Sequence, residues 1–145
     1  MCAESRSTST QNYFSATTPT PNTGQTILIV EDYSDTRAML SLLLKSNGYK
    51  VVEAEDGIEG ILKAGNLYPD LIIMDLSLPE MDGVEATTRI HAQGKLSGIP
   101  IFVISAYLTD EVKKAALEAG CAEVFRKPLD SDVLIERINA TLRSP

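Results

Sequence analysis

The sequence has little that would support disulfide or transition-metal chemistry. It holds two cysteines, no tryptophan and a single histidine in 145 residues. Cys2 lies in a polar N-terminal stretch and Cys121 lies near a predicted strand, so the pair favours neither a disulfide nor a metal site. His91 has no second histidine or cysteine close by, which indicates a surface helix residue rather than a metal ligand.

Long apolar segments and net positive charge are also missing. No apolar run approaches the roughly 20 residues that span a membrane, so we expect no membrane insertion. The N-terminus lacks the apolar middle segment of a secretory signal, and we therefore expect a cytoplasmic protein. The net charge of −7 makes the chain a poor electrostatic match for nucleic acid, although it suits a cation or a partner with a basic surface.

The glycine-rich and nucleophile motifs of several enzyme classes are absent. No G-x-G-x-x-G follows the first apolar run, and there is no G-x-x-x-x-G-K-[ST] loop, which argues against dinucleotide binding and P-loop NTPase activity. The sequence also has no G-x-S-x-G elbow of the kind that carries a serine nucleophile.

Residues 1–24 differ in composition from the rest of the chain. They are rich in Ser, Thr, Pro and Asn and carry few large apolar side chains, so they are predicted to form a flexible tail. Residues 25–145 are predicted to form one domain. The chain ends shortly after the last predicted helix, which favours a stand-alone protein.

From Gln25 onward, short apolar runs alternate with segments of helical spacing. The runs predict strands at residues 26–30, 49–54, 71–74, 101–104 and 122–125. The segments between and after them predict helices at 32–46, 57–66, 83–93, 109–119 and 130–142. Continuous apolar strands are usually covered on both faces, which predicts a three-layer α/β sandwich around a parallel sheet. Five such units fit the flavodoxin-like fold with strand order 2-1-3-4-5.

Polar residues follow the predicted strands, at the edge where an open parallel sheet binds its ligands. Taken singly, they have ordinary interpretations: Asp32 as a helix cap, Ser105 as a loop hydroxyl, Lys127 as a surface cation. Together, three clustered carboxylates need a positive charge between them, and Mg²⁺ prefers carboxylate oxygen. Acids with a hydroxyl and a lysine also describe a phosphoryl site, in which a carboxylate can be the nucleophile. The residues are Glu31, Asp32, Asp75, Ser105 and Lys127.

Four segments of the chain resemble the receiver domains of two-component response regulators. The resemblance runs from about residue 26 to residue 142 and is carried by ILIVEDYSDTR, LIIMDLSLPEMDG, IFVISA and VFRKPL. It implies that Asp75 is the phospho-acceptor. It also implies a Mg²⁺ site formed by Asp32, Asp75, the backbone carbonyl of Ser77 and, through a water, Glu31.

The resemblance also implies roles for the remaining residues of the site. Lys127 would pair with Asp75 and then with its phosphoryl group, and Ser105 would hydrogen-bond that group after transfer. The bond before Pro128 would be cis, and Pro79 with the Asp82-Gly83 turn would shape the neighbouring loop. The phosphodonor would be a sensor histidine kinase or a histidine phosphotransfer protein. The signal would pass through the fourth helix, fifth strand and fifth helix to an unknown downstream protein, from a monomer or weak dimer.

Two positions depart from the pattern of such domains. The aromatic residue that often precedes the lysine by three places is replaced by Val124, and Phe125 comes one residue later. Adjacent strand residues face opposite sides, so Phe125 does not simply replace the missing ring. Tyr107 follows Ser105 by two residues, and we hypothesise that its ring covers the phosphoryl group and prolongs the phosphorylated state.

Three alternatives stay open beside a signalling protein that is not an enzyme in the ordinary sense. A haloacid-dehalogenase-type phosphatase would carry a second Asp two residues after the nucleophile, where this chain has Ser77. A phosphate-independent pseudo-receiver is expected to lack one of the acids or the lysine. The chain could also be a receiver module cut from a larger hybrid kinase.

Overall fold

A computed structural model describes residues 24–143, which form an alternating α/β domain. Apart from Gly24, the tail predicted at residues 1–24 lies outside the described residues, as do residues 144 and 145. The strands are β1 (Thr26–Val30), β2 (Lys50–Ala54), β3 (Leu71–Asp75), β4 (Ile101–Ser105) and β5 (Glu123–Arg126). The helices are α1 (Ser34–Ser46), α2 (Gly57–Leu67), α3 (Gly83–His91), α4 (Asp110–Glu118) and α5 (Ser131–Arg143).

The strands form one parallel sheet in the order β2-β1-β3-β4-β5. This is the predicted flavodoxin-like order 2-1-3-4-5, which is confirmed. The strand order reverses beside β1 and β3, so the carboxyl ends of these two strands border the crevice where ligands bind in such sheets.

Different helices cover the two faces of the sheet, and the side chains that alternate along each strand pack against both groups of helices. Leu28, Ile72 and Val103 pack with residues of α2, α3 and α4. On the other face, Ile29 and Ile73 pack with residues of α1 and α5. The strands β3 and β4 are buried along their whole length, which agrees with their continuous apolar sequence.

Element ends differ from the predictions by one or two residues. The largest shift at a helix start is in α1, which begins at Ser34 rather than at residue 32. A short 3-10 turn at Gly94–Leu96, between α3 and β4, was not predicted. Four helices begin with side-chain caps, in which Asp56, Asp82, Thr109 and Asp130 accept hydrogen bonds from backbone N–H groups. Among residues 24–143, no helix has the length and apolar character needed to cross a membrane.

Candidate functional site

Three carboxylates meet at the carboxyl edge of the sheet. Glu31 and Asp32 follow β1, and Asp75 is the last residue of β3. Glu31 is fully buried, Asp75 is 2% exposed, and Asp32 is exposed. One carboxylate oxygen from each residue lies within 4.8 Å of the others. The structure therefore brings together the three acids that the sequence placed at one edge.

Lys127, which follows β5, reaches across the edge to two of these acids. Its Nζ lies 3.1 Å from Glu31 Oε1 and 3.4 Å from Asp75 Oδ2. Its backbone N–H donates to the Ser105 carbonyl at 2.9 Å, which anchors this segment to the end of β4. The bond between Lys127 and Pro128 is cis, as predicted.

The charges at this edge do not balance within the protein. Burial is the main cause that raises the pKa of the Glu31 carboxyl to about 7, and the hydrogen bond and negative charge of Asp75 raise it further. Burial lowers the pKa of the Lys127 ammonium, but the hydrogen bonds and charges of Glu31 and Asp75 outweigh burial and leave that pKa raised. One ammonium thus faces two buried carboxylates, with Asp32 close by.

The Asp75 carboxylate is held at both oxygens. Lys127 lies at Oδ2, and the Ser77 N–H donates to Oδ1 at 3.1 Å. The loop after β3 also folds tightly against this residue, because Gly83 N–H donates to the Leu76 carbonyl at 3.1 Å. A Cβ atom on Gly83 would lie 2.2 Å from the Asp75 carbonyl oxygen, so this close approach requires glycine. The Asp82-Gly83 pair was predicted as a turn, but this contact was not.

The turn between β1 and α1 does not use Asp32 as a helix cap. Tyr33, not Asp32, is the N-cap residue of α1, and no side chain caps this helix. The interpretation of Asp32 as a helix cap is therefore wrong, and its carboxylate is not engaged in a capping bond. The backbone carbonyls of Glu31 and Asp32 instead accept hydrogen bonds from the Arg37 guanidinium. Arg37 could not be identified from the sequence, because an arginine in the first turns of a helix gives no signal that it bonds to the preceding turn.

Ser105 lies at the same edge, but its hydroxyl is engaged within its own loop. Ser105 Oγ donates to the Tyr107 carbonyl and accepts from the Tyr107 N–H, both at 3.1 Å. Ser105 is 3% exposed, whereas the Tyr107 side chain is 82% exposed. The Tyr107 ring therefore does not cover Asp75 in this structure.

Phe125 and Val124 face opposite sides of the sheet, as the alternation along β5 predicts. Phe125 packs with the core beneath α1 and α5, and its ring lies 5.3 Å from the Phe102 ring centroid. Val124 packs on the other face, with α4. Phe125 therefore lies in the core rather than beside Ser105.

The donor set fits a hard divalent cation. Each acid offers an oxygen atom, and the described residues place no sulfur or histidine nitrogen in this cluster. Mg²⁺ binds through one or two carboxylates and keeps several waters, which suits one exposed and two buried acids. A dication would also offset the excess negative charge that Lys127 alone does not balance.

Comparison with known proteins gives one consistent family. A family model described as the response regulator receiver domain matches residues 27–139. KDP operon transcriptional regulatory protein KdpE of Escherichia coli is 38% identical over 117 residues, which cover 81% of this chain and 51% of KdpE. Protein PilH of Pseudomonas aeruginosa is 30% identical over 116 residues, which cover 80% of this chain and 96% of PilH. The chain spans about half the length of most curated relatives it matches.

A solved structure shows the same fold with a metal ion. It is the receiver domain of the sensor histidine kinase PA1611 from Pseudomonas aeruginosa, with magnesium coordinated in its active-site cleft. It is 32% identical and has a TM-score of 0.78, and the match covers 83% of this chain and 99% of that one.

Proposed function

The chain belongs to the response regulator receiver domain family, and on this premise we propose that it is a phosphorylation-activated switch whose acceptor is Asp75. The observation that carries the proposal is the placement of Asp75. It is buried at the end of β3, with Lys127 at one oxygen and two further acids within 4.8 Å. Such a carboxylate is oriented for attack, and the Lys127 ammonium beside it can offset negative charge.

Asp32 and Asp75 would hold Mg²⁺ with the backbone carbonyl of Ser77, and Glu31 would act mainly through a bound water. When bound, the metal would supply positive charge to the phosphoryl oxygens. The site would take its Mg²⁺ without a large rearrangement, because the carboxylates already lie together.

The protein's own groups then orient the transfer. Asp75 attacks phosphorus in line, so a P–O bond to its carboxylate forms as the P–N bond of a donor phosphohistidine breaks. Lys127 pairs with the Asp75 carboxylate before transfer and then with the phosphoryl group, whose negative charge it offsets. Water later attacks the phosphorus of the acyl phosphate, which releases inorganic phosphate and returns Asp75 to the free carboxylate.

The switch acts through Ser105. To donate to a phosphoryl oxygen, the Ser105 hydroxyl gives up its bond to the Tyr107 carbonyl, and the loop at 105–109 rearranges as a result. The loop leads directly into α4, so the change reaches the face formed by α4, β5 and α5.

The proposed phosphodonor is a sensor histidine kinase or a histidine phosphotransfer protein, and the output is a protein partner rather than nucleic acid. This role is signalling, with self-catalysed phosphorylation and dephosphorylation rather than turnover of a free substrate. The haloacid-dehalogenase alternative gains no support, since Ser77 stands where a second Asp would act and donates its N–H to Asp75.

Incubation with Mg²⁺ and acetyl phosphate tests the proposal. Intact mass should show one added phosphoryl group in the wild type and none in Asp75→Asn or in EDTA. A promiscuous histidine kinase serves as a second donor. If neither donor phosphorylates the wild type, the domain is a phosphate-independent module and the proposal is wrong.

A further inference from the structure

We infer that Arg37 is a positioning residue for the metal site, acting on the backbone of the turn that carries Glu31 and Asp32. This inference rests on the proposed function, because it assigns a residue that prepares the same site for Mg²⁺. The Arg37 side chain bonds to the backbone carbonyls of these two acids and to the Glu53 carboxylate, not to the carboxylates of the metal site.

The guanidinium of Arg37 bonds to both residues of the acidic pair through their main chain. Arg37 Nη1 donates to the Glu31 carbonyl at 2.8 Å and to the Asp32 carbonyl at 3.4 Å. On its other side, Arg37 Nε donates to Glu53 Oε1 at 3.0 Å, on the edge strand β2. The Arg37 side chain is only 14% exposed, so it lies fixed between the turn and the sheet.

This turn has few other supports. The Glu31 N–H donates to the Ala54 carbonyl of β2 at 3.1 Å, but α1 begins at Ser34 without a side-chain cap. Residues 31–33 therefore lie between two regular elements. The Glu31 carboxylate accepts from the Tyr33 N–H at 3.1 Å, but that bond leaves the carbonyls of Glu31 and Asp32 to the Arg37 guanidinium.

The direction of these carbonyls decides where the acids point. Rotating either peptide unit moves the adjoining Cα–Cβ bonds of Glu31 and Asp32, and thereby their carboxylates. Mg²⁺ demands a nearly ideal octahedron with ligands at about 2.0–2.1 Å, so small displacements weaken binding. Residues that hold metal ligands indirectly typically change metal affinity by about 10–100-fold when they are removed.

Arg37 and Lys127 are both cations beside this site, but they act on different atoms. Lys127 contacts the carboxylate oxygens of Glu31 and Asp75, so its charge directly offsets theirs. Arg37 contacts carbonyl oxygens, and its own charge is paired with Glu53. The geometry of the guanidinium fork, rather than its charge, is therefore what the turn uses.

The test is a calorimetric titration of Mg²⁺ into Arg37→Lys and Arg37→Met, compared with the wild type. Both variants should bind Mg²⁺ about tenfold more weakly, because an ammonium does not reproduce the fork that joins two carbonyls and Glu53. Arg89→Met is the matched control. Arg89 pairs with Glu85 on the exposed surface of α3 and should leave the affinity unchanged.

Thermal unfolding in EDTA separates positioning from simple stability. If Arg37→Met loses stability in EDTA yet binds Mg²⁺ with wild-type affinity, Arg37 is only structural and the inference is wrong. Full rescue by Arg37→Lys would show that charge alone matters and would also overturn it. If Arg37→Met does not fold, Glu53→Gln provides the second variant. It keeps the carbonyl bonds and should weaken Mg²⁺ binding by less than Arg37→Lys does.

Failure of this inference differs from failure of the proposed function. If the wild type binds Mg²⁺ and accepts a phosphoryl group while both Arg37 variants bind Mg²⁺ equally well, only the role of Arg37 is refuted. If the wild type itself binds no Mg²⁺ and takes up no phosphoryl group, both conclusions are wrong.

Discussion

The turn after β1 and the loop after β4 border the same site, but they are held in different ways. In the turn, Glu31 is fully buried, its N–H donates to the Ala54 carbonyl of β2, and Arg37 joins its carbonyl to Glu53 of the same strand. In the loop, the Ser105 hydroxyl bonds only within the loop, and Arg126 holds the Leu108 carbonyl at an exposed position. The turn is prepared for a cation in advance, whereas the loop is held by the local bonds of the Ser105 hydroxyl and by one exposed bond to Arg126, which can be exchanged.

This difference suits a switch. A metal site gains from a fixed geometry that costs no rearrangement on binding. A signalling element must have a second arrangement whose free energy is close to that of the first. In this chain the fixed segment follows β1 and the exchangeable segment follows β4, so the two requirements are met at different strands of one sheet.

The largest predicted effect is on the fixed side of the site. Gly83→Ala should lower the free energy of unfolding by about 3 kcal/mol, because the new Cβ would meet backbone atoms of Asp75 and Leu76 that have little freedom to move. Chemical denaturation measures it. Gly98→Ala is the control, since its Cβ would meet nothing within 4 Å. Equal stability of the two variants would contradict the fixed packing described for Asp75.

The second prediction concerns the unbalanced charge. In EDTA at pH 8, Glu31→Gln should raise the free energy of unfolding by about 2 kcal/mol, since it removes one buried carboxylate and leaves Lys127 paired with Asp75. The same variant should lose most of the stabilisation that Mg²⁺ gives the wild type. A variant less stable than the wild type in EDTA would show that Lys127 already balances the site.

The pH dependence of this effect has a definite sign. The carboxylates of Asp32 and Asp75 and the ammonium of Lys127 face Glu31. The pKa of Glu31 is raised from its ordinary value of 4.5 to about 7 in the folded protein. Between pH 4.5 and pH 7 the folded state therefore binds a proton that the unfolded state has lost. The stability from this proton is present below pH 4.5 and is lost as pH rises through 7. Wild-type stability in EDTA should therefore fall over this range relative to Glu31→Gln, as thermal melts at several pH values would reveal.

The smallest predicted effect is on the exchangeable loop. If the Tyr107 ring covers the phosphoryl group once the loop has moved, Tyr107→Ala should shorten the phosphate lifetime by about threefold, under 1 kcal/mol of barrier. Tyr107→Phe keeps the ring and should keep the lifetime. Decay of the phosphorylated mass after donor removal measures both. An unchanged lifetime in Tyr107→Ala would mean that the ring stays in solvent, where it lies now.

The sheet could be predicted from sequence because its signals are strong. The apolar runs of β3 and β4 are fully buried, and each leads to a polar residue at its carboxyl end, Asp75 or Ser105. The ends of helices and strands were harder to predict, because one residue type can either cap a helix or serve the functional site. Asp32 is a good helix cap by composition, yet α1 begins after Tyr33 without a side-chain cap.

Which residues share the edge was also predictable, but how they are held was not. Strand order brings Glu31, Asp75 and Lys127 together, whatever their side-chain rotamers. The bonds of Arg37 to two carbonyls depend on the path of a three-residue turn, for which periodicity gives no signal. The backbone of Glu80, in the loop after β3, was not predictable either: it adopts a positive φ of 66°, which is uncommon for a glutamate.

Hydrogen–deuterium exchange measured in three states tests the contrast between turn and loop most directly. The states are EDTA, Mg²⁺ alone, and Mg²⁺ with beryllium fluoride as a phosphoryl mimic. Between the last two states, exchange should change in the peptide covering residues 105–110 and stay constant in the one covering 31–37. A change of equal size in both peptides, or a change in the turn alone, would contradict the division into a fixed turn that holds the metal ligands and a loop that switches.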